Sequence, residues 1–144
     1  MFNPSRDQVR QFFFGVWAKY RAGEPLAGAE LPALDAVLGH PEYHAILDQP
    51  GRYQERDYLP ESGETNPFLH LSMHLAIAEQ LSVDQPPGIR DRYQRLQKQH
   101  GNAMDAQHAI MDCLAEMIWQ VQRHQTAFDS AAYLRCLDQA LGEI

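Results

Sequence analysis

Cysteine is scarce in this 144-residue chain, which has only Cys113 and Cys136. Two thiols cannot build a disulfide framework or a cysteine zinc knuckle. The expectation is two free thiols in a reducing cytoplasm. Positive charge is also in short supply: 12 Lys and Arg face 19 Asp and Glu, a formal net charge of −7. The acid excess is shared, with six bases and ten acids in residues 1–72 and six and nine in residues 73–144. This balance argues against nucleic acid or an anionic membrane as partner. Long apolar runs are missing as well, and nothing approaches the roughly 20 residues that a membrane helix needs. Phe12, Phe13 and Phe14 lead an apolar run, but Arg6, Asp7 and Arg10 precede it and Lys19 and Arg21 follow. No small-residue cleavage site stands out, so the run does not read as a signal peptide. The expectation is a soluble, cytoplasmic protein.

Sustained period-two alternation with β-branched residues is absent, and with it any argument for a sheet. So are the Walker phosphate loop, G-x-G-x-x-G, the G-x-S-x-G elbow, H-E-x-x-H, the E-x-x-H of di-iron bundles and C-x-x-C. What remains is helical periodicity. Asn3-Pro4 can open a first helix, and Ser5 with Gln8 offers an alternative capping box. Val9, Phe13, Val16 and Tyr20 then recur at helical spacing until Gly23 and Pro25. Further helices are expected over 31–38, from Pro41 to about Asp48, from Asn66-Pro67 to about Val83, from Ile89 to His100, from about Met104 to His124, and after Asp129. Residues 49–65 form the longest loop candidate. The expected fold is all-α: a single-domain helical bundle of about six or seven helices spanning 1–144.

Histidine carries the chemistry. Of seven histidines, His40/His44 and His70/His74 are spaced i, i+4, which places both imidazoles of a pair on one helix face, as a shared metal requires. His70 and His74 continue into the apolar positions Ile77 and Leu81, on a helix that reads as buried. His108 and Asp112 repeat the spacing on the long helix. The expected metal ligands are therefore His70, His74 and His108, with Asp112 as fourth ligand or as the acceptor behind one, a set suited to zinc, iron or manganese. With an open position such a centre could activate water. In His40-Pro41-Glu42-Tyr43-His44 the glutamate comes one place later than in a zinc protease. On an α-helix it points about 200° from His40, leaving His40 as a helix N-cap. His44 could still donate to a site built elsewhere.

The rival reading is a non-catalytic interaction domain with hydrogen-bonded structural histidines. It would be a homo-oligomer through the aromatic first helix, or would meet an unidentified protein partner through the 49–65 loop. Arg90, Arg92, Arg95 and Lys98 form a local basic helix that reads first as a solvated face, and otherwise as a docking site for a phosphate or an acidic partner.

Asn3-Pro4-Ser5-Arg6, the Phe12-Phe13…Trp17…Tyr20 helix and His40-Pro41-Glu42-Tyr43-His44 recur in a known pattern. So do the block from Asn66 to His74, Asp84-Gln85-Pro86-Pro87-Gly88-Ile89 and His108…Met111-Asp112-Cys113-Leu114…Glu116-Met117…Trp119. Together they resemble the proteobacterial family catalogued as domain of unknown function 1841, over nearly the whole chain. The resemblance implies a bacterial, single-domain, soluble protein and lends no activity, cofactor or catalytic residue.

Overall fold

The computed structural model describes residues 5–59 and 63–142. Among these residues eight α-helices follow one another: α1 (Arg6–Ala22), α2 (Glu30–Leu38), α3 (His44–Leu47), α4 (Pro50–Tyr53), α5 (Pro67–Val83), α6 (Ile89–His100), α7 (Ala103–His124) and α8 (Ser130–Ala140). A 3₁₀ turn, Pro41–Tyr43, precedes α3. No strand occurs among the described residues, so the fold is all-α, as the periodicity predicts. Contacts gather into two compact units, Met1–Leu75 and Ala76–Ile144, with the boundary inside α5.

In the first unit α1 starts on the capping box. The Gln8 amide donates to Ser5 Oγ at 3.2 Å and the Ser5 amide to Gln8 Oε1 at 2.8 Å. Asn3-Pro4 lies outside the described residues. Gly23, at φ +73°, closes the helix in the left-handed conformation that glycine adopts without strain. Phe13, Phe14, Val16 and Trp17 are buried with Ala33 and Val37 of α2, and Phe68 and Leu71 of α5 join the same core. Phe12 is half-buried and lines an apolar cavity of about 540 Å³ with Val9 and Leu75.

One position on this buried face is charged. Arg10 is 2% exposed, and its Nη1 donates to the carbonyl oxygens of Tyr53 at 3.1 Å, Gln54 at 2.9 Å and Arg56 at 2.7 Å. Its guanidinium lies 4.8 Å from the centre of the Phe68 ring. These bonds anchor the segment expected to be one long loop, which begins with the short helix α4. Arg56 adds a salt bridge to Glu64 at 2.7 Å. His44 is also committed to structure: its Nε2 is 2.8 Å from the Val37 carbonyl, and its ring stacks on Trp17 at 4.2 Å.

In the second unit α6, α7 and α8 pack on one another. Ile89 and Leu96 of α6, Ile110 and Leu114 of α7, and Tyr133 and Leu137 of α8 are buried. Asn102 and Asp129 cap α7 and α8 through their side-chain oxygens. The basic run on α6 is largely spent internally. Arg90 donates to the carbonyls of Leu81 and Ser82, Arg95 pairs with Asp91, and Arg92 grips both oxygens of Asp138 at 2.8 and 3.2 Å.

The Arg92 hydrogen bonds hold the Asp138 carboxyl below its ordinary value of 3.8, against a smaller upward push from burial. A carboxyl lowered on folding stabilises the protein above its unfolded value, and that contribution is lost as pH falls through the folded value. Asp138→Asn should therefore lower stability at pH 7. Its unfolding midpoint should converge with wild type as pH falls below about 4. Urea titrations across that range check this, and parallel curves would refute it.

Cys113 of α7 and Cys136 of α8 form a disulfide, with Cα atoms 5.8 Å apart. This corrects the expectation of free thiols. A separation of 23 residues carries no sign of proximity. The short connection between α7 and α8 folds the two helices together and creates it.

Candidate metal centre

Asn66 sets the start of α5. Its Oδ1 accepts from the amides of Phe68 at 3.0 Å and Leu69 at 3.2 Å, filling two of the donors a helix start leaves open. From there the i, i+4 spacing places His70 and His74 one turn apart on one face, as expected. Their Nε2 atoms are 3.2 Å apart.

A third imidazole, His40, meets them. His40 Nε2 lies 2.8 Å from His74 Nε2 and 3.1 Å from His70 Nε2. His40 is 4% and His74 2% exposed, and His70 is partly buried. The sequence reading placed His40 as a helix N-cap and pointed Glu42 away from it. The structure keeps His40 at the N-cap position but gives its ring another role, and it corrects the direction of Glu42. His40 makes no capping bond, and its backbone, at φ −128° and ψ 68°, leads into a 3₁₀ turn. An α-helical wheel therefore does not describe residues 40–43. In the actual turn Glu42 folds back, with Oε2 3.0 Å from His40 Nδ1. Burial pushes the Glu42 carboxyl up, but the His40 bond and the neighbouring imidazoles outweigh it and hold the carboxyl below its ordinary value. The Tyr43 ring stacks on His40 at 5.2 Å and meets His70 edge-on at 5.9 Å.

Three Nε2 atoms within 3.2 Å of one another pose a problem that hydrogen bonds alone do not solve. Each Nε2 either donates or accepts. Three atoms sharing two roles must include at least one donor–donor or acceptor–acceptor pair, whatever the tautomers. Glu42 narrows the choice, because a carboxylate only accepts. His40 Nδ1 therefore carries the hydrogen, and Nε2 of the neutral ring presents a lone pair. A cation between three lone pairs removes the conflict. Metal–nitrogen bonds of about 2.0–2.1 Å put ligand nitrogens about 2.9 Å apart at right angles and about 3.3 Å apart at the tetrahedral angle. The observed edges of 2.8–3.2 Å sit at the tight end of that range. The donor set thus fits a divalent transition metal.

Of the ligands expected from sequence, the first unit brings His70 and His74 together. His108 and Asp112 belong to α7 in the second unit, and Asp112 is exposed. His40 is the residue that sequence reasoning left out. Its signal was present in the His40-Pro41 step, since a histidine at a proline-initiated turn has its backbone held away from the helix and its ring free to face elsewhere.

No helix among the described residues is long and apolar enough to cross a membrane. No curated protein and no solved structure matches the chain. A family model does, over residues 5–139: Domain of unknown function (DUF1841). That match takes in both units, nearly the whole chain and all three clustered histidines. The chain belongs to the DUF1841 family.

Proposed function

We propose that this protein binds one divalent transition metal through Nε2 of His40, His70 and His74. The observation that carries the reading is the triangle of ring nitrogens, which two hydrogen-bonding roles cannot satisfy and one cation can. Neutral imidazoles suit zinc and iron, whereas manganese prefers oxygen donors, so the ligand chemistry favours the first two. The rival reading, histidines each bonded to a separate carboxylate or carbonyl, is disfavoured by the same triangle. Burial of His40 and His74 points to a held ion rather than a widely open reaction centre.

Elemental mass spectrometry on untagged protein, purified without chelator, tests the proposal. Wild type should carry close to one equivalent of zinc or iron. The His70→Ala/His74→Ala double variant should carry none, and His40→Ala should lose most of it. His108→Ala and Asp112→Ala test whether the remaining ligands expected from sequence belong to the set. A wild-type protein that takes up no metal after addition of zinc, iron and manganese overturns the reading.

A further inference from the structure

Glu42 stands two residues from His40 on the turn, and its carboxylate reaches the nitrogen of that ring which faces away from the triangle. We infer that Glu42 is the positioning residue of the metal centre, fixing His40 in the tautomer and orientation that aim its Nε2 lone pair at the ion. The inference rests on the metal reading above and adds to it the part that prepares one ligand.

Three observations support it. The first is geometric: His40 Nδ1 to Glu42 Oε2 is 3.0 Å, while His40 Nε2 is 2.8 and 3.1 Å from the other two ring nitrogens. The two nitrogens of one imidazole thus serve two different partners. A carboxylate behind a ligating histidine locks the ring and raises its basicity. The second is electrostatic. Three neutral imidazoles leave the full charge of a divalent ion uncompensated, and the Glu42 carboxylate is bonded directly to one of the ligands. The third is local structure. Pro41 fixes the backbone between the two residues, and the 3₁₀ turn brings side chains two apart into reach where an α-helix would separate them.

Glu42 supports His40 without being part of the core. Its side chain is 59% exposed against 5% for His40, so its removal opens no cavity. A loss of metal affinity in a Glu42 variant is therefore separable from a loss of folding.

The experiment measures Zn²⁺ affinity by competition with a chromophoric chelator, and the visible spectrum of the Co²⁺ form, for wild type, E42Q, E42A and H40A. Thermal melting of each metal-free protein serves as the folding control. E42A should bind Zn²⁺ about 10–100-fold more weakly than wild type, the range for losing the group behind a ligating histidine. E42Q should lie between the two, because its amide oxygen still accepts from Nδ1 but carries no charge. The Co²⁺ band pattern should persist in both, since the ligand set is unchanged, and should change in H40A. Zn²⁺ affinity in E42A equal to wild type, with H40A impaired, overturns the role of Glu42 and leaves the metal centre standing. A Co²⁺ spectrum altered in E42A as in H40A makes Glu42 a direct ligand, and that too overturns it. Absence of Zn²⁺ and Co²⁺ binding by wild type overturns the metal reading itself, and this inference with it.

Discussion

Replacing Arg10 with methionine should cost the protein about 3 kcal/mol or more, among the largest effects of any single substitution outside the hydrophobic core. The side chain is 2% exposed and its Nη1 serves three backbone carbonyls, of Tyr53, Gln54 and Arg56. Methionine fills most of the volume and keeps contact with Phe68, so the packing loss is small. What is lost is polar. Each hydrogen bond from a charged donor contributes about 1.5–3 kcal/mol, and a buried carbonyl left without a donor costs about 1–3. Water reaching the 54–56 segment recovers part of this, which keeps the sum well under three full penalties. Arg10→Lys should recover only part of the loss, since its shorter stem does not carry the ammonium to where Nη1 meets the three carbonyls and gives up the planar guanidinium's contact with Phe68. Urea unfolding measures both. Hydrogen exchange should show amides of residues 53–57 losing protection in Arg10→Met before the α1 core does. A midpoint within 1 kcal/mol of wild type would mean that the carbonyls find other donors and that the anchor is dispensable.

Arg10 also shows where sequence reading stops. In the sequence it is one more charge flanking an apolar run. Only the fold reveals that the flank is buried, because its acceptors come from backbone more than 40 residues away, and a backbone carbonyl has no letter in the sequence. The same division runs through the molecule. Helix boundaries were legible because caps are local: Ser5 with Gln8, Asn66, Gly101 and Asp129 all act within a few residues of their own position. The His70/His74 pair was legible for the same reason, since four residues on a helix fix a shared face. His40 was not. It reaches His70 across 30 residues, and the 40–43 segment is a 3₁₀ turn, for which the helical wheel returned the wrong direction for Glu42. The basic run on α6 read as a solvated or docking face, yet Arg92 turns inward to Asp138, 46 residues on. Position along one helix is decided by period, whereas pairing between helices is decided by packing.

Breaking the Cys113–Cys136 disulfide should lower stability by about 3 kcal/mol, the chain-entropy expectation for releasing a loop of this length. For a chain of this size that is a fall in Tm of about 10 °C. Two routes should agree. Reduction by excess dithiol and the Cys113→Ser/Cys136→Ser variant should shift the melting midpoint by similar amounts, with the variant somewhat lower because Cys113 is buried and serine brings a hydroxyl there. Dithiol should leave the variant unmoved. If dithiol moves wild type by less than about 2 °C although mass spectrometry shows both thiols free, packing between α7 and α8 suffices without the link and the entropic argument fails. The measurement also bears on where the protein works. Free thiols were the ground for expecting a reducing cytoplasm, and the bond removes that ground, because disulfides persist in oxidising compartments and are rare in reducing ones. Alkylation of cells before lysis, followed by mass analysis of the 113 and 136 peptides, reads the state directly. A bond found closed would place the chain where oxidation is maintained and make its stability part of the native fold. Thiols found alkylated would mean that the native protein runs about 3 kcal/mol below its oxidised form, and α8 would then be held on α6 and α7 by packing of the buried Tyr133 and Leu137 together with the Arg92–Asp138 pair and the Gln99 bond to the Ala140 carbonyl.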